Sequence, residues 1–161
     1  MRKISLLVVV FVMVLFSCNT EAKKEAIKTV KEQPKEIKEK SIYEKLGGSE
    51  GISAIVDEIV ETHIKNEHIK KYFIPLKKNP EYFNQFKQHV KDFLASGTGG
   101  KEKYTGRDMG SAHLKLNLSE ADFLYAVDDI LLVLDRRKVD RVSRNELLAV
   151  LYSLKWSIIK A

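Results

Sequence analysis

Cysteine, proline and tryptophan are scarce: 161 residues hold one Cys, three Pro and one Trp. The lone Cys18 excludes an intrachain disulfide framework and any multi-cysteine zinc site. No His-x-x-x-His pair and no Glu-x-x-His pair occurs among His63, His68, His89 and His113, so a catalytic zinc or a di-iron site lacks its ligands. A phosphate loop, a hydrolase nucleophile elbow, an internal repeat and convincing strand alternation are missing too. The net charge of +6 resembles a nucleic-acid footprint, but it is spread thinly. Residues 41–161 hold 19 Lys and Arg against 17 Asp and Glu, with no dense basic stripe of the kind a duplex binder needs. No nucleic-acid partner is expected. The hydrophobic share of 44% is too high for a disordered chain, and the length fits one ordinary domain with extensions.

The start of the chain reads as an address. Arg2 and Lys3 precede an apolar run, Ile4 to Phe16, broken only by Ser5. Such a run is shorter than the ~20 residues a membrane-spanning helix needs, and a charged start before a short apolar core is the secretory pattern. Leu15-Phe16-Ser17-Cys18 resembles the bacterial lipoprotein cleavage box. That resemblance implies a leader at 1–17, lipidation of Cys18, and a protein exported and held by lipid on the periplasmic or surface side of a bacterial membrane. An uncleaved anchor and an ordinary cleaved signal are the alternatives. Asn19 to Lys40 holds seven Lys, five Glu and Pro34, with only Ile27, Val30 and Ile37 as large apolar residues. With Cys18 it forms a solvated tether, 18–40.

Residues 41–161 read as helices throughout. Ser41-Ile42-Tyr43-Glu44 has the capping-box pattern, and Gly47-Gly48 stops that short helix. Ile52, Ile55, Val56, Ile59, Val60 and Ile64 recur at helical spacing, ending near Asn66. A short helix is expected within 67–73, then a polar loop bracketed by Pro75 and Pro80. Phe83, Phe86, Val90, Phe93 and Leu94 mark the next helical face, closed by Gly97, and the stretch Ser96 to Gly106, with four glycines, is a loop. A short helix at 108–115 carries Met109 and His113. Ser119 caps a long helix with Phe123, Ala126, Val127, Ile130, Leu131 and Leu134 inside. Ser143-Arg144-Asn145-Glu146 has a capping-box pattern opening a last helix with Leu147, Val150, Leu151, Leu154 and Ile158. The domain is all-α.

A wide aromatic face opposite a short histidine-bearing helix points to something flat between them. Haem asks for only one neutral imidazole and a mostly apolar pocket. His68 sits among charges and is expected to face solvent. His63, three residues after Val60, reads as a satisfied structural histidine.

Three blocks then fall in order. They are Ser41-Ile42-Tyr43-Glu44-Lys45-Leu46-Gly47-Gly48; His89-Val90-Lys91-Asp92-Phe93-Leu94 running to Gly99-Gly100; and Tyr104-Thr105-Gly106-Arg107-Asp108-Met109 followed by Ala112-His113. With these, residues 41–159 resemble the group I truncated haemoglobins, globins with a two-over-two helical sandwich. The resemblance implies haem b with His113 as the proximal iron ligand and Met109 packed on the ring one turn earlier. It implies that Phe73 wedges against the porphyrin, that Phe86, Val90, Phe93 and Leu94 surround it distally, and that Phe123 and Ala126 line the proximal side. Arg107 or Lys87 would pair with a propionate or remain a solvated charge.

Against the family pattern, Val60 stands where many members place a tyrosine that donates to bound oxygen, and the usual polar distal positions fall on Phe86 and Val90. An apolar pocket forgoes a donor bond worth roughly 1.5–3 kcal/mol. His89 matches a position that in some cyanobacterial relatives supplies a second histidine to the iron. It either coordinates iron or sits at the pocket rim.

The leading expectation is a lipid-tethered globin that binds oxygen, nitric oxide or carbon monoxide. Nitric oxide dioxygenation would need an external reductant; with no flavin or nicotinamide motif, that points to an electron-donor protein. A location away from cytosolic reductases weighs against the enzymatic reading. The rivals are a bis-histidine haem protein for electron transfer or redox sensing, and a haem-free helical interaction lipoprotein.

Overall fold

The computed structural model describes residues 39–159. The leader expected at 1–17, Cys18 and nearly all of the 18–40 tether lie outside the described residues. Within them the chain forms seven α-helices and a 3-10 helix, with no strand. The helices are α1 (Ile42–Lys45), α2 (Gly48–Lys65), α3 (Lys70–Phe73), α4 (Pro80–Gly97), α5 (Met109–His113), α6 (Glu120–Arg136) and α7 (Arg141–Ile159). No helix among the described residues is long and apolar enough to cross a membrane.

Local chemistry accounts for most helix starts. Ser41 Oγ accepts from Glu44 N at 3.2 Å while Glu44 Oε2 accepts from Ser41 N at 2.8 Å, completing the capping box. Ser119 and Asp122 form the same reciprocal pair at α6. Asn79 caps α4, with Pro80 in the first turn, where its missing N–H costs nothing. The expected polar loop between Pro75 and Pro80 is instead a 3-10 helix, Ile74–Lys78, because Pro75 fits the first turn of a helix as well as it fits a loop.

One cap differs from expectation. Ser143 does not open the last helix. Asp140 does, accepting from Val142 N at 3.0 Å, Ser143 N at 3.1 Å and Ser143 Oγ at 2.6 Å. Ser143 lies inside α7 and is fully buried. The charged carboxylate of Asp140 is the stronger acceptor, and it starts the helix three residues earlier than the Ser143 pattern.

The core sits around α2. Ile52, Ile55, Val56, Ile59 and Val60 are buried in one cluster with Leu46, Ala95, Val133, Leu134 and Leu147. Helix α2 packs on α4 and on α6, and α6 packs on α7. The charges give the directions. Asp135 near the end of α6 pairs with Arg144 at the start of α7 (2.7 Å), and Glu120 at the start of α6 pairs with Lys155 near the end of α7. Those two helices are therefore antiparallel. At the far end of α4, Thr98 O accepts from Tyr43 N at 3.0 Å, which brings that end back beside α1 and the start of α2. The two pairs, α2–α4 and α6–α7, join through α2 and α6 in the two-over-two arrangement.

Two constraints tighten this frame. Gly51 lies so close to the end of α1 that a Cβ there would sit 1.9 Å from Leu46 O. Asp57 on α2 holds both Lys87 (3.1 Å) and Lys91 (2.9 Å) of α4. Burial pushes the Asp57 carboxyl up, but hydrogen bonds from Lys91 and Lys87 outweigh it and hold it below its ordinary 3.8. Asp122 is likewise lowered: burial opposes, and hydrogen bonds from Ser119 and Tyr72 with the charge of Lys71 prevail.

Gly51→Ala is therefore expected to destabilise the domain by at least about 2 kcal/mol, read as a fall of roughly 5–15 °C in thermal midpoint. The lowered carboxylates stabilise the fold above their unfolded pKa, and that stability is lost as pH falls through their folded values. Unfolding on acidification should begin below about pH 4. Asp57→Asn should lower stability at pH 7 by about 1 kcal/mol or less, because the side chain is part-exposed and screened, and the gap from the parent chain should close toward pH 2.

Candidate functional site

Helix α5 is one turn long. Asp108 caps it, accepting from Ser111 N at 2.9 Å, and that bonding holds the Asp108 carboxyl below its ordinary value. The chain leaves the helix at Leu114 and turns through left-handed backbone at Lys115 (φ 70°) and Asn117 (φ 50°). His113 is thus the last helical residue, half-buried, with Leu114 and Leu116 exposed beyond it. Its Nδ1 lies 2.7 Å from Met109 O. A carbonyl oxygen only accepts, so Nδ1 carries the proton and donates. In the neutral ring, Nε2 then keeps its lone pair. A carbonyl held against one ring nitrogen in this way orients an imidazole so that the other can bind a metal.

Helix α4 supplies an aromatic face. Phe83, Phe86, His89, Val90, Phe93 and Leu94 are all half-buried, and only Ala95 on this helix is fully buried. Phe73 from α3 stands 6.3 Å from Phe86, which in turn is 6.4 Å from Phe83. His89 and Phe93 both meet Tyr104 edge-on, at 6.1 and 5.2 Å. His89 Nδ1 is buried and has no hydrogen-bond partner. From α6, Phe123 is buried against the edge of Tyr152 at 5.5 Å, and Ala126 is half-buried.

The contacts therefore gather the expected residues into groups: Phe73 with Phe86, His89 with Phe93, and Met109 with His113. Phe86, Val90 and Leu94 also pack against the main core. Arg107 is exposed and takes part in no ion pair among the described residues. Lys87, the other cation considered for a propionate, is engaged by Asp57 at 3.1 Å. Two cavities lie elsewhere. One, of about 320 Å³, is bounded by Leu46, Gly51, Arg137 and Asp140; the other, of about 500 Å³, runs along Asp57, Glu61 and Arg136.

Nothing in the sequence marks Tyr104 as a site residue, although it opens the Tyr104-Thr105-Gly106-Arg107-Asp108-Met109 run. Its hydroxyl donates to Arg107 O, and burial pushes its phenol pKa up, so it remains a donor. A Cβ on Gly106 would lie 2.5 Å from the Tyr104 ring, so the glycine two residues on was the available signal. Asp129 was missed as well. It is a buried acid at helical spacing from Ala126 and Val133.

The residue set fits haem: one oriented imidazole, a half-buried aromatic face and no rival cluster of three or more metal-binding side chains among the described residues. The sequence pattern of the bacterial-like globins matches residues 41–160. The group 1 truncated hemoglobin of Tetrahymena pyriformis is 32% identical over 109 residues, covering 68% of this chain and 86% of the relative. That of Synechocystis is 31% identical over 114 residues, covering 68% and 88%. Among solved structures, the Fe(III) form of the Tetrahymena pyriformis protein superposes with a TM-score of 0.67 at 27% identity, covering 74% of this chain and 98% of that one. The 2/2 hemoglobin of Synechococcus, solved in the cyanomet state with covalently attached heme, shares the fold at a TM-score of 0.67 and 23% identity, covering 76% and 100%. This chain belongs to the bacterial-like globin family, and its fold is that of the truncated haemoglobins.

Proposed function

We propose that this globin binds haem through His113 Nε2, takes up a diatomic gas, and is tethered to a membrane by a lipid on Cys18. The observation that carries the haem assignment is the hydrogen bond from His113 Nδ1 to Met109 O at 2.7 Å. It holds the ring in the tautomer a ligand needs before any iron arrives. Met109 and Phe123 would hold the porphyrin from the side of His113, and Phe73, Phe86, Val90, Phe93 and Leu94 from the other. Bound haem supplies an iron with an open position for oxygen, nitric oxide or carbon monoxide.

The chain's own residues set the character of that pocket. Val60 is 2% exposed and offers no donor, and neither do Phe86 and Val90. A gas beside them gains no hydrogen bond from these positions. That favours nitric oxide or carbon monoxide over ligands that depend on a donor. Exposed Arg107, with no carboxylate partner among the described residues, is available to a propionate.

A second reading has its own support. His89 Nδ1 is buried without a partner, and a buried polar atom left unbonded costs about 1–3 kcal/mol. A ring that reorients to bring a nitrogen to iron relieves that cost. On this reading His89 would hold the iron together with His113, and a gas would have to displace it.

Titration of the full chain with hemin should give a one-to-one complex with a sharp Soret band. His113→Ala should weaken it by about 100-fold or more, since loss of a ligand's outer-shell partner alone costs 10–100-fold. Absence of a stoichiometric complex in the parent chain overturns the haem assignment. A six-coordinate ferrous spectrum that becomes five-coordinate in His89→Ala supports the bis-histidine reading; a five-coordinate parent that takes up carbon monoxide at once removes it. For the tether, the parent chain should incorporate labelled palmitate and Cys18→Ser should not, because the acyl chains that anchor stably are carried by that cysteine. A parent chain that takes up no label removes the lipid anchor.

A further inference from the structure

One buried polar knot sits among the apolar side chains where α2 meets α6. His63 is 6% exposed and Asp129 is 8% exposed. A carboxylate only accepts, so His63 Nδ1 donates to Asp129 Oδ2 at 2.9 Å. Asn66 Nδ2 donates to the other oxygen, Oδ1, at 3.0 Å. Asn66 in turn accepts at its side chain from His68 N (3.0 Å) and at its carbonyl from Lys70 N (2.8 Å). The knot thus fixes the rotation of the His63 ring and the turn that leads into α3.

The knot is one end of a longer strip. On α6, Asp122, Tyr125 and Asp129 follow the i, i+3, i+7 spacing of one helix face. Asp122 Oδ2 accepts from Tyr72 at 3.1 Å, and Asp122 pairs with Lys71 at 3.6 Å. Tyr125 stacks on His68, centroids 3.9 Å apart and planes 2° from parallel. Asp129 takes His63 and Asn66. Helix α3 is four residues long and buries none of them; Ile69 just before it is buried, and this strip supplies the remaining contacts. Within that frame the His63 ring lies 4.9 Å from Phe73, tilted 31°. A buried hydrogen-bonded charge is seldom better for stability than an apolar residue of the same volume, which makes geometry the more economical account of the knot.

We infer that His63 is a positioning residue for the haem site: Asp129 and Asn66 lock its imidazole, and the locked ring backs Phe73 and sets where that phenyl stands beside Phe86. The inference rests on the haem reading above for what Phe73 touches. His63 itself acts through Phe73.

Two substitutions in the full chain separate the ring from its hydrogen bond. His63→Asn keeps a donor for Asp129 but removes the ring; His63→Phe keeps a ring but removes the donor. His63→Asn should lose haem about tenfold faster to an excess of a competing apoglobin, the scale of one lost aromatic contact, and should shift the stretching frequency of bound carbon monoxide. Its thermal midpoint without haem should fall by only a few degrees. His63→Phe, a ring without its lock, should have a lower midpoint and should lose haem faster than the parent but more slowly than His63→Asn. Unchanged haem loss and carbon monoxide frequency in His63→Asn overturn the inference, as does faster loss in His63→Phe alone. If neither variant folds, Asp129→Asn loosens the same ring with little change of shape, and haem loss at the parent rate then overturns it. Should the parent chain take up no haem, the haem reading is what has failed. The Phe73 ring-proton NMR shifts of the haem-free protein then decide the positioning claim separately: they should move in His63→Asn, and identity with the parent overturns it.

Discussion

Helix α2 is the member on which the other helices depend. Its five buried aliphatic side chains face both α4 and α6, so removing them from water joins the two halves of the domain in one step. Close approach at the end of α1 adds a steric limit, because only a residue without Cβ fits at Gly51. With α2 occupied on both sides, α4 is left with Ala95 as its single fully buried residue, and its aromatic side chains remain half-exposed. The aromatic face is available for a ligand because the core is completed elsewhere.

The site is built from short pieces set on that frame. One turn of helix, α5, presents His113, and its own backbone carbonyl at Met109 determines which ring nitrogen is free. On the other side, the segment from Asn66 to Phe73 is anchored by buried Ile69 and by polar contacts from α6. Tyr104 closes against His89 and Phe93 from the glycine-rich loop. Directional bonds add to the packing of each of these pieces.

Helix starts were legible where a side chain caps its own first turn, as at Ser41 and Ser119. The four-residue register was misread at the last helix, where Ser143 and Glu146 match a capping box but Asp140, three residues earlier, is the stronger acceptor. The 3-10 helix at Ile74–Lys78 was read as a loop, because a proline is compatible with both. His63 was correctly read as a satisfied structural histidine, but its partner lies 66 residues away on another helix. Lys87 showed the same blindness from the other side: its charge was evident, and its engagement with Asp57 was not.

By itself the sequence determined the helical class, the helix faces, the glycine stops and the identity of His113 as the histidine on a short helix after a flexible loop. These are properties of neighbours within about one turn, where hydrogen bonding and side-chain periodicity act along the chain. Only the tertiary structure decided which charges are neutralised, which ring nitrogen of His89 is left unbonded, and how α6 holds the segment bearing Phe73. Those depend on which helix faces meet. Burial of the aliphatic residues of α2 sets that meeting, and no local pattern encodes the partner.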